Sequence, residues 1–143
     1  SGEKTERLLK LASLFKQAHI PYQIVQDMHA WQLCHLAMVV PIADAYYMAD
    51  NPEKAGYDGK VMLYTAKQMR CNFSALHKLE IRLTPPKMNF FRLTPVSILS
   101  MGLSFVFRSK FGNMFMYRHS MKAPDEMRQL HDQFYGYIQR NLA

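Results

Sequence analysis

Cysteine is scarce in this chain: among 143 residues only Cys34 and Cys71 occur, both inside apolar helical patterns and without metal-ligand spacing. That argues against a disulfide framework and a cysteine metal site, and suits a reducing, cytoplasmic setting. No run of about 18 apolar residues offers a single bilayer-spanning helix; Trp31 to Ala43 comes nearest and is too short. No signal-peptide pattern opens the sequence, and Ser1-Gly2 has the look of a proteolytic remnant rather than a natural start. A glycine-rich phosphate loop, a nucleophile elbow and an HExxH helix are all missing. His29 and His35 stand six apart, off a common helix face, so they do not read as a metal pair. Internal repeats and low-complexity tracts are absent too.

One absence is local. Between Ile81 and Pro124 there is no acidic residue, while Arg82, Lys87, Arg92, Arg108, Lys110, Arg118 and Lys122 all fall there. The rest of the chain is balanced, so this stretch carries the whole net charge of +7. Such a region is a solvated basic face or an attractor of anions. A small anionic ligand suits it better than nucleic acid, since no nucleic-acid motif accompanies the charge.

What is present is apolar and helical. Hydrophobic residues make up 49% of the chain, enough for one domain with its own core. Leu8, Leu11, Ala12, Phe15 and Ala18 recur at helical spacing over residues 3–18, with acids early and lysines later to suit the helix dipole. Pro21 then marks the start of a predicted strand, Tyr22 to Val25. A lone strand leaves both backbone edges unpaired, so it implies a partner from elsewhere. A long helix is predicted from Met28 to about Asp50, with a kink or break where Pro41 removes a backbone donor. Asn51 is a candidate N-cap ahead of Pro52. Residues 60–79 form a second strong helix with Met62, Ala66, Met69, Phe73 and Leu76 on one side. Pro85 and Pro86 stiffen a loop, short helices follow over 87–93 and 95–107, and "SKFGN" breaks the pattern. The last helix runs from Asp125 to Asn141, its acidic first turn favourable to the dipole. The abundant Met, Phe and Tyr read as core packing, with a subset available for a dimer seam or domain interface. His35 and Asp44 sit in the most apolar helix, where each is either a satisfied core group or part of a site.

The order of helix, "IPYQIVQDM" and "AWQLCHLAMVVPIADAYY" resembles the junction into the C-terminal domain of the ketopantoate reductases (2-dehydropantoate 2-reductases). A divergent branch of that family carries a similar W-x-x-x-H-x-A-x-x-x-P-I-A pattern, and "LTPPK" and "HSMKAPDEM" also look like that branch. The resemblance spans nearly the whole chain through degenerate motifs. It implies a mainly α fold, the helical C-terminal domain of the 6-phosphogluconate dehydrogenase-like type. Residues 1–27 would be the last helix and strand of a missing Rossmann domain, and 28–143 the helical substrate and dimerisation domain. NADP would be bound mainly by that Rossmann domain, the partner implied, with a small anionic carbonyl compound as substrate and a homo-oligomer as the assembly. The isolated fragment would be inactive and would hold no cofactor.

Reduction of a keto acid by hydride transfer needs a proton donor at the carbonyl oxygen and hydrogen bonds for the carboxylate. The family uses a lysine near the start of the long helix and asparagines four and eight residues later. A gap-free match places His35 at the lysine and Val39 and Ala43 at the asparagines, while a shifted register places Gln32 at the lysine. Glu126 matches the glutamate of the last helix, and Ser120 is the nearest candidate for its companion serine. His119 and the basic stretch are the other tools at hand. Neither aliphatic residue can bind substrate by hydrogen bonds, so the resemblance implies a carbonyl substrate other than ketopantoate, or the same one held by different groups. A helical dimerisation or partner-binding domain without catalysis is the alternative.

Overall fold

The computed structural model describes residues 4–142, so Ser1-Gly2 and the first residue of the opening helix pattern lie outside it. The chain is mainly helical, with α1 (Glu6–Gln17), α2 (Met28–Met48), α3 (Gly59–Lys78), α4 (Asn89–Leu93), α5 (Val96–Arg108), α6 (Arg118–Lys122) and α7 (Pro124–Leu142). Short 3-10 turns occupy Pro52–Tyr57 and Pro86–Met88, and a π-helical segment, Gly112–Tyr117, leads into α6.

Local chemistry sets the ends. Thr5, Asp27 and Asp58 each accept a backbone N–H in the first turn of α1, α2 and α3. Helices α1 and α3 close through His19 and Glu80, both at positive φ, whose following amides reach back to Phe15 and Leu76. Asn51 stands at the head of the Pro52–Tyr57 turn, but its side chain makes no capping bond.

Helix α2 is the centre of the domain. Ala30, Leu33, Cys34, Ala37, Val40, Ala43, Ala45 and Tyr46 are all buried, which requires neighbours on more than one side. Its N-terminal half packs with Phe73 and Leu76 of α3, with Leu83 in the loop after α3, and with Phe134 of α7. Its C-terminal half packs with Met62, Ala66 and Met69 of α3 and with Leu99, Leu103 and Phe107 of α5. All five apolar α3 residues expected on one face are buried in these two clusters. Each of the four larger ones, Met62, Met69, Phe73 and Leu76, contributes roughly 1.5–3 kcal/mol of hydrophobic stabilisation.

Of the kink or break expected at Pro41, the break does not occur: α2 runs through the proline as one helix. Proline lacks the N–H that would bond the Ala37 carbonyl, and the buried Asn72 of α3 supplies it instead, donating from Nδ2 to that oxygen at 3.2 Å. The strand at Tyr22–Val25 does not form, and no strand is found among the described residues. A strand exists only by pairing; lacking a partner, this segment stays irregular, and the Tyr22 ring turns back to within 6.2 Å of Phe15 in α1. The "SKFGN" interruption is also shorter than expected, because helical geometry resumes at Lys110. Gly112 makes that possible: a Cβ there would collide with the Val106 carbonyl at the end of α5.

No single described helix is long and apolar enough to cross a membrane; Pro86–Leu93 and Val96–Arg108 meet those criteria only together, and they bend by 116°.

Candidate functional site

The cavity that gathers the chemistry is about 680 Å³ and is bounded by α2, α3, α4, α5, the π segment and α6. Met69, Leu99 and Leu103 form its buried floor, and Phe90, Phe111 and Phe115 stand exposed around it. Phe111 and Phe115, one helical turn apart, keep their rings 5.0 Å from each other. Only three of the sixteen lining residues are polar, namely His35, His119 and Ser120, and none is Lys, Arg, Asp or Glu. The interior therefore favours an apolar body, with hydrogen bonding confined to those three groups.

His35 projects from α2 at the exposed edge of the cavity. The Trp31 ring, one turn earlier, stacks on it at 5.2 Å with planes 5° apart, fixing the imidazole's orientation. Partial burial lowers the His35 pKa below its ordinary value, and the neighbouring His119 lowers it further. At neutral pH His35 is consequently uncharged for most of the time, a stronger acid when protonated but a scarcer one. Ser120 is buried, and its backbone carbonyl accepts a 2.6 Å hydrogen bond from the Tyr47 hydroxyl, tying α6 to α2.

The other sequence candidates fall elsewhere. Gln32 is exposed and does not line the cavity, so of the two registers only the one with His35 puts the matched residue there. Val39 lines the cavity, whereas Ala43 is buried in the helix packing. Glu126 is exposed in the first turn of α7, away from the cavity lining. Asp44 belongs to a separate pair, its carboxylate 3.0 Å from Nδ1 of His131 on α7. Burial raises the Asp44 pKa, with His131 opposing that rise. No group of three His, Cys, Asp or Glu side chains among the described residues is arranged for a metal ion.

The aromatic rim and the Asp44–His131 pair were not picked out from the sequence. Both join residues far apart in the chain, and only the i, i+4 spacing of Phe111 and Phe115 gave a local sign.

No protein-family model, curated protein or solved structure matches this chain.

Proposed function

We propose that the chain is the helical substrate domain of a ketopantoate reductase-like, NADP-dependent oxidoreductase acting on a 2-keto acid or similar carbonyl compound. The observation that carries this reading is the convergence on one cavity of His35, aligned with the family's lysine, and Ser120, the nearest candidate for its serine, beside His119. The residues at that cavity do not suit the nucleotide itself, since they include no glycine loop and no cationic side chain. NADPH is therefore assigned to a companion Rossmann domain, from which it would supply the hydride to the carbonyl carbon. This chain would supply the proton, from His35 to the carbonyl oxygen, as the C=O double bond becomes an alcohol. Helix α1 supports a companion domain: Leu9, Leu11 and Leu14 are exposed, and of its described residues only Ala12 is buried.

Glu126, which does not line the cavity, has no part in the proposed proton path. The fragment alone is assigned no activity.

The test is NADPH oxidation by the full-length protein over a panel of 2-keto acids. Turnover of at least one is expected, together with a G-x-G-x-x-G strand-turn-helix in the companion domain. A second reading, a non-catalytic dimerisation domain, is favoured by the outward face of α5, where Ile98, Met101 and Phe105 are exposed. Its signature in the same experiment would be a concentration-dependent dimer that oxidises no NADPH with any keto acid.

A further inference from the structure

The cavity is large and apolar for a short, branched keto acid. Its volume of about 680 Å³ lies within the range of about 300–1,000 Å³ that holds ligands of drug size. A body of a few carbons would leave the floor of Met69, Leu99 and Leu103 uncovered, forfeiting the transfer energy of about 25 cal/mol per Å² that apolar contact provides.

The polar groups are placed to one side. His119 and Ser120 are consecutive on α6, and His119 lies close enough to His35 on α2 for its charge to bear on that imidazole. Eleven of the sixteen lining residues come from the stretch between Ile81 and Pro124, which carries seven cations and no carboxylate. Arg118 and Lys122, both exposed, flank His119 within about one turn. These two cations adjoin His119 along the chain, ahead of the Asp125 and Glu126 that open α7, while the cavity interior holds no charge of its own.

We infer that the cavity binds a 2-keto acid with a long or aromatic apolar side chain, the side chain on the Met69–Leu99–Leu103 floor and the carbonyl and carboxylate beside His35, His119 and Ser120. This deepens the oxidoreductase reading, and rests on it only in treating the ligand as the substrate. On this inference, binding is expected without NADPH and without a second domain.

Trp31 is the one tryptophan of the chain and stacks on His35, so its emission reports occupancy beside that residue. The chain is titrated with 2-oxooctanoate and with pyruvate, which share a head group and differ in the tail. A saturable change in Trp31 emission is expected with 2-oxooctanoate, at a Kd at least tenfold below that for pyruvate. Gly102 lines the cavity, and a Cβ there meets nothing within 4 Å, so Gly102→Leu starts from an unobstructed Cβ at the cavity wall and gains helix propensity. This variant should weaken 2-oxooctanoate binding at least tenfold.

Equal affinity for the two acids, no binding of 2-oxooctanoate, or an unaffected Gly102→Leu variant would each overturn the inference. The first two outcomes are read on the unsubstituted chain and do not depend on the variant. Binding of 2-oxooctanoate without NADPH oxidation by the full-length protein would remove the oxidoreductase reading alone. Turnover of pyruvate with no preference for the longer acid would remove the inference alone.

Discussion

In the proposed reaction His35 would have two roles that pull on its protonation in opposite ways. As a half-open imidazole against Trp31, with His119 nearby, it is held below its ordinary pKa. The unfolded chain therefore binds a proton at this residue more readily than the folded one. Stability is fully present above the unfolded value of about 6.5. It declines as pH falls from there through the lower folded pKa. Urea midpoints measured at about pH 7.5 and about pH 5.5 should fall further for the native chain than for His35→Gln. Equal shifts for both proteins would show that His35 does not contribute to the pH dependence. As a proton donor, the same lowered pKa would make reduction faster on the acidic side, where the imidazolium is populated. The sequence made His35 conspicuous because it is a polar group in an apolar helix. It could not show the neighbour His119, which reaches the cavity from 84 positions away.

At the scale of elements, α2 and α3 were the most legible parts of the fold. The five apolar positions of α3 follow one helical face and all are buried. Elements whose form depends on a distant partner were not legible. Tyr22–Val25 has the composition of a strand but has no ladder to join. Pro41 reads locally as a helix breaker, yet Asn72 on α3 bonds the carbonyl that proline leaves bare. Asn72 also donates to the Tyr135 hydroxyl at 3.4 Å, linking α2, α3 and α7. Asn72→Ala should cost about 2 kcal/mol, because a buried carbonyl then loses its donor. Pro41→Ala restores a backbone N–H for the same oxygen, so the two substitutions should couple favourably by about 1 kcal/mol in a double-mutant cycle. Strict additivity in urea denaturation would contradict this account of how α2 passes Pro41.

For the whole molecule, the class of fold was visible from apolar periodicity, while the site was not. A mainly helical domain follows from the six helical segments that apolar spacing and helix-end signals mark along the chain. The cavity is assembled from α2, α3, α4, α5, the π segment and α6, and no local pattern encodes that convergence. The resemblance to the ketopantoate reductases drew attention to His35 and Ser120, which line the cavity, and to Glu126, which does not. Helices α1 and α5 both expose apolar faces, and the basic stretch supplies most of the cavity wall through its uncharged residues. The central claim is that the cavity is a reductase's substrate site with His35 as its proton donor. Its most direct test is the kcat for NADPH-dependent reduction of a 2-keto acid by the full-length protein, compared with that of His35→Ala. A fall of about 100-fold is expected for loss of a general acid; an unchanged kcat would contradict the claim.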